Sequence, residues 1–377
     1  MIIFDISNEK FKRILDDKEL FLPLYWNGED FSVTLSNHLS RYYESVVREL
    51  PRENTKEIKR INALLVRAID KYLFGFPEKA LKTFGEAMGI LMQHPLKVYQ
   101  KSAHELFERY GQNEDVKLYR VVRVNDIKPY PRERVFHTPY NLRSKVATCR
   151  YSIAGHPSLY LGTSLELCCK EIHFNDRNEY ALASMFVLER DPYVSGTNIR
   201  VIELGIKPQD FIQRNNEIED IRYSRPKSLG RLLRNIDVEF MSSYLLWYPL
   251  IAACSYVRTY REDPFAAEYI IPQLLMQWVR GEMETPRYSR NSLSDNNESE
   301  LIGIRYFSCA SQMASEMGFN YVFPTSGHRL SDGRNYCPIL AKSFLMTKPV
   351  FIHDYEGVDF CERSIEGSER LSELANI

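Results

Sequence analysis

The chain has 377 residues, 44% of them apolar and 26% charged, with a formal net charge of −1. That balance fits a globular protein with a substantial core, and it leaves no whole-protein field to draw nucleic acid or an anionic membrane. Seven cysteines, an odd number with no C-x-x-C pair, argue against a zinc site or a thioredoxin motif and read as reduced thiols of a cytoplasmic protein.

The opening "MIIFDISNEKFKRIL" lacks the charged-then-apolar pattern of a secretory leader. No run approaches the ~18 apolar residues of a membrane span. The first 112 residues read as a helical domain. "FSVTLSNHLSRYYESVVREL" is one predicted helix. From Glu57, the positions Ile58, Ile61, Leu64, Leu65, Ala68, Ile69, Tyr72 and Leu73 recur at a helical period and predict another. "GFPEKALKTFGEAMGILMQ" follows, with Pro77 suited to a first turn. "PLKVYQKSAHELFERYG" completes the set, and short polar turns between helices point to a bundle.

The texture changes at "GQNED". From residue 116 to residue 377 the chain reads as a second, mixed α and β domain, so the fold class is α+β. Its predicted strands are "KLYRVVRV", "SLYLGTS", "ALASMFVLE", "NIRVIELGI", "LIGIRYFS", "NYVFPTS" and "SFLMTKPVFI". Two helical segments, roughly Arg234–Arg258 and Pro272–Arg280, fall between the fourth and fifth strands. The first contains "MSSYLLWYPLIAACSYV", a buried helix expected to kink or restart at Pro249. Residues 281–300, poor in apolar side chains, are expected to form an exposed loop.

The two glycine-rich phosphate cradles, the complete H-E-x-x-H zinc motif and the G-x-S-x-G elbow are all absent. In the helical region no arginine is followed four to six residues later by histidine, so a nuclease using such a pair is not supported.

What remains is a set of polar residues in or beside apolar strands. Arg120 shares a strand face with Leu118 and Val122, and such an arginine is costly to bury without an anion. A ligand, a sheet edge or a structural carboxylate would each account for it. Arg150 precedes the turn "AGHP", and Tyr160 lies in the next strand. "TSLE" reads as a capping box with Thr163 as N-cap and Glu166 three residues on. Glu171 comes about two turns into that helix, beside Cys168 and Leu167; spacing alone favours a structural carboxylate. Ser308 ends a strand, and Ser326 in "FPTSGHR" competes with it. His137 in "ERVFHTPY" reads as structural.

Taken together, "LYR", "RYSIAGHPSLYLGTSLELCCKE", "IPQLLMQWVRG", "GIRYFS" and "NYVFP" resemble, in this order, the RES domain, a family named for its arginine, glutamate and serine. The likeness covers roughly Val116 to Asp354. It places the family's arginine on Arg120, its tyrosine on Tyr160, its glutamate on Glu171 and its serine on Ser308. Arg150 sits where the family often carries a second arginine. The stretch from Glu171 to Ser308 is longer than in compact members, and the N-terminal helical domain is an addition.

The resemblance implies an ADP-ribosyltransferase-like core and an NAD+-consuming toxin, often one half of a toxin–antitoxin pair. NAD+ would be the substrate, with no cofactor or metal. Glu171, Arg120 and Ser308 would be catalytic, and Tyr160, Arg150 and Tyr119 would bind substrate. Hydrolysis, phosphorolysis and transfer of ADP-ribose to a protein remain open, as does a non-catalytic nucleotide-binding regulator. An antitoxin or other inhibitory partner is expected, with the helical domain as an alternative restraint or a dimerisation surface for a homo-oligomer.

Overall fold

In the computed structural model, residues 4, 6–96, 117–174, 179–188, 197–212, 236–284, 299–327, 333–352 and 369–370 are described. Helix α1 (Asn8–Leu15), strand β1 (Leu24–Tyr25) and helices α2 (Phe31–Glu49), α3 (Lys56–Leu73) and α4 (Pro77–Leu91) come first. Strands β2 (Lys117–Val124) and β3 (Ser158–Gly162) follow, then helix α5 (Leu165–Glu171) and strands β4 (Tyr180–Leu188) and β5 (Thr197–Leu204). Next are helix α6 (Val238–Ala253), strand β6 (Tyr256–Val257), helix α7 (Ile270–Glu284) and strands β7 (Ser299–Phe307) and β8 (Phe319–Pro324). Helix α8 (Pro338–Ser343) and strands β9 (Phe344–Met346), β10 (Val350–Phe351) and β11 (Glu369–Arg370) complete an α+β fold.

The chain divides into two units. The helical unit comprises Met1–Lys101, Cys149–Tyr151 and Glu203–Asn291. The sheet unit comprises Ser102–Thr148, Ser152–Ile202 and Ser292–Ile377. This differs from a division near residue 115: helices α6 and α7 join the N-terminal helices instead of decorating the sheet domain. The reason is the composition of α6, in which every residue from Phe240 to Ala253 is buried. A helix apolar on all sides must be surrounded. Helix α3 supplies part of that surround with the buried stripe Ile58, Ile61, Leu64, Leu65, Ala68 and Ile69. The stripe stops there, and Leu73 is exposed.

Helix α6 runs continuously through Pro249, without the restart expected from the sequence. Proline removes the N–H that would serve the carbonyl four residues earlier. That carbonyl, on Leu245, instead accepts a hydrogen bond from the Tyr42 hydroxyl of α2 at 2.7 Å. Among the described residues, no helix is long and apolar enough to cross a membrane.

In the sheet unit the strand order is β11-β9-β4-β2-β3-β8-β7-β5, with β10 also paired to β4. The pairings β2–β4, β2–β3, β3–β8 and β7–β8 are antiparallel. Strand β2 matches "KLYRVVRV" residue for residue. One sheet face carries α5 over a small core of Val121, Cys168, Ala181 and Ala183. The other carries Phe186, Phe323 and Phe344, with the last two ring centroids 5.2 Å apart.

Residues 97–111 of the last N-terminal helix and residues 285–298 of the expected loop lie outside the described residues. The ends of that loop are regular structure, since Gly281 to Glu284 belong to α7 and Ser299 opens β7.

Candidate active site

The site is built around the turn from β3 into α5. The helix cap falls one residue later than the sequence motif indicates. Ser164 is the N-cap, and its hydroxyl accepts from the Leu167 N–H at 3.2 Å. Thr163 is engaged elsewhere, its Oγ1 accepting from the Phe319 N–H at 2.9 Å. That approach depends on Gly318, which has φ +139°; a Cβ there would lie 2.2 Å from Thr163 Oγ1. With the cap at Ser164 the helix has seven residues, and Glu171 is its last.

Antiparallel register decides what Glu171 meets. Gly162 pairs with Tyr119 on β2 and with Asn320 on β8. Directly paired residues point to the same face, as do residues two apart on one strand. Tyr119, Tyr160, Gly162 and Asn320 therefore share the face that carries α5. Cys168 binds this face through its thiol, which donates to the Tyr119 carbonyl at 3.2 Å. Glu171, half-buried, accepts a hydrogen bond from Asn320 Nδ2 at 2.6 Å. A Cβ on Gly162 would lie 2.7 Å from Cys168 Sγ and 3.4 Å from Asn320 Oδ1, so the glycine makes room for both.

Arg120, next to Tyr119 on β2, alternates to the opposite sheet face, the one that carries Phe186. Strands β2 and β3 share the single pair Tyr119–Gly162. Beside it, Arg120 Nη1 donates to the Tyr160 carbonyl at 3.0 Å. Burial and then Cys169 and Glu171 push the Cys168 thiol well up, while Arg120 pulls it the other way. His137 is buried, accepting at Nε2 from the Cys337 N–H at 2.8 Å. Its Nδ1–H therefore donates to the Thr138 carbonyl, also at 2.8 Å. Burial, reinforced by Arg120, lowers the His137 pKa to about 3.

Ser308 and Ser326 lie toward opposite ends of β8. Ser308 follows Phe307, which pairs with Phe319 beside Asn320. Its hydroxyl is fully buried and accepts from the Ala310 N–H at 3.1 Å. Ser326 is six residues along the chain from Asn320, on the order of 20 Å for an extended segment. There its Oγ contacts Cys337 Sγ at 3.2 Å, and its carbonyl accepts from Tyr140.

Arg150 is bonded to backbone carbonyls. It belongs to the helical unit, where it donates to the carbonyls of Cys254 at 3.1 Å and Tyr256 at 2.7 Å. Its guanidinium also lies over the Tyr269 ring, 4.9 Å from the centroid. The arginine that resemblance assigned to substrate is thus bonded to backbone after α6.

Asn320 lies in "NYVFP" and carries no role in any motif recognised in the sequence. The available signal was a polar residue near the head of an apolar strand that is buried throughout, because a buried amide must find a partner. Arg305 in "GIRYFS" is also buried, 4.6 Å over the Phe319 ring.

The class defined by this geometry is an α+β protein with a carboxylate at a helix end, held by a strand amide on a sheet face that also presents two tyrosines. No family model matches the chain, and no solved structure matches it. The chain is similar to a Bacillus subtilis (strain 168) protein named "Putative toxin YopC", with 24% identity over 337 residues. The match covers 86% of this chain and 66% of that protein, so the chain spans just under two thirds of that relative's length.

Proposed function

We propose that the protein is a toxin-type enzyme that cleaves the nicotinamide–ribose bond of NAD+. The observation that carries this reading is the Glu171 carboxylate, fastened by the neutral amide of Asn320 on the sheet face that presents Tyr119 and Tyr160. The name of the B. subtilis relative supports a toxin role. The chemistry comes from the residues and from their likeness to the RES domain.

Nicotinamide is cationic in NAD+ and departs as a neutral ring, so the leaving group needs no general acid. An ordinary glycosidase uses two carboxylates because its leaving oxygen must be protonated. Here one suffices. Glu171 binds the ribose hydroxyls and stabilises the positive charge that grows on the ribose as the bond breaks. Arg120 holds the diphosphate, for which a guanidinium fork is suited. Tyr160 packs against the nicotinamide ring. Ser308 acts through the turn beside Asn320, and water is the acceptor.

Purified protein should release nicotinamide from NAD+, and Glu171→Gln should abolish release with an unchanged thermal melt. Full activity in that variant would refute the assignment.

A further inference from the structure

We infer that Asn320 is a positioning residue for catalysis, holding the Glu171 carboxylate by a neutral donor. This rests on the reading of Glu171 given above. Asn320 is 4% exposed, and its Nδ2 lies 2.6 Å from Glu171 Oε1. A buried amide in that place orients a carboxylate through one oxygen without cancelling its charge. A lysine or arginine would neutralise the charge that the developing ribose cation requires. Its position is set by three features: pairing with Gly162, pairing with Tyr306, and the space left by the missing Cβ at Gly162. The donor therefore comes from a paired strand and the acceptor from a short helix end, so the sheet fixes the reactive group.

The test is steady-state nicotinamide release by the full chain carrying Asn320→Asp or Asn320→Ala. Asn320→Asp keeps the shape and changes the proton count. At neutral pH two carboxylates would face each other, and kcat should fall on the order of 100-fold with KM within a few-fold. At lower pH the pair takes up one proton. The acid introduced at position 320 then donates to Glu171 as the amide did, with the same total charge. Activity relative to wild type should therefore rise as pH falls. A purely structural role would not produce that inversion.

Other titratable groups on Glu171's helix and the elements packed against it are Glu166, Cys168, Cys169 and Lys170 on α5, Lys117, Tyr119, Arg120 and Arg123 on β2, Tyr160 on β3, and Glu316 in the turn after β7. All are unchanged between the two proteins. Asn320→Ala should show the same loss of kcat without recovery in acid, and it keeps the question open to test if the aspartate variant does not fold. Wild-type kcat and pH profile in both variants would overturn this inference alone. A wild-type protein that releases no nicotinamide would overturn the reading of Glu171 and this inference with it.

Discussion

Tyr42 on α2 donates its hydroxyl to the carbonyl of Leu245 on α6, the one carbonyl that Pro249 deprives of its helical donor. Both Tyr42 and Leu245 are fully buried, so water cannot substitute. Tyr42→Phe keeps the ring, which packs 4.3 Å from that of Tyr248, and removes only the donor. The expected cost is ~1–3 kcal/mol of folding stability, the penalty of an unsatisfied buried carbonyl. Urea denaturation of the variant checks it, and a midpoint equal to wild type would show that the proline is tolerated for another reason.

One turn before Tyr42 on the same helix, His38 gives the helical unit a specific acid sensitivity. The Tyr248 hydroxyl donates to the Leu20 carbonyl at 2.9 Å, so it accepts from His38 Nε2–H, also at 2.9 Å. Burial, helped by Arg41, lowers the His38 pKa from 6.5 to about 4. The unfolded chain therefore binds the proton first as pH falls. The stabilisation is complete above pH ~6.5 and is lost progressively down to about pH 4, a total of ~3 kcal/mol. His38→Gln should flatten that part of the stability–pH curve, measured by denaturation at a series of pH values. An unchanged slope would place the titration elsewhere.

Gly162 is expected to resist even the smallest side chain. Its Cβ would come within 2.7 Å of Cys168 Sγ. Gly162→Ala should cost ~1–3 kcal/mol by overpacking and should lower nicotinamide release by displacing Asn320. Adding Cys168→Ala removes the sulfur it strikes and should recover part of the melting temperature. Failure of the second change to relieve the first would locate the strain in the strand backbone.

Arg120 tests the substrate's orientation. Arg120→Ala should weaken NAD+ binding roughly 10- to 100-fold, the size of a lost charge-assisted hydrogen bond to phosphate. Arg120→Lys should not restore it fully, since an ammonium cannot reproduce the fork. Calorimetric titration with NAD+ reads both. Unchanged affinity in Arg120→Ala would move the diphosphate away from β2.

The local patterns were legible because they depend on neighbours in sequence. Alternation in "KLYRVVRV" specifies β2, and the period from Ile58 to Ile69 specifies the buried face of α3. The α+β class follows from such patterns. The cap of α5 was misplaced by one residue because Thr163 and Ser164 are chemically equivalent in sequence. Only the Phe319 N–H, 156 residues away, claims the threonine and leaves the serine to cap.

What the sequence alone determined, then, is which segments are helix and strand and which polar residues are unusual among apolar neighbours. Their grouping was a tertiary decision. Helices α6 and α7 lie between strands of the sheet in chain order but pack with the N-terminal helices, because an all-apolar helix follows the largest available apolar surface. Arg150 follows its carbonyl partners after α6. Glu171 acquires Asn320 only through antiparallel register, which brings residues 149 positions apart within hydrogen-bond distance. Sequence spacing carries no information about that pairing; strand order and register do.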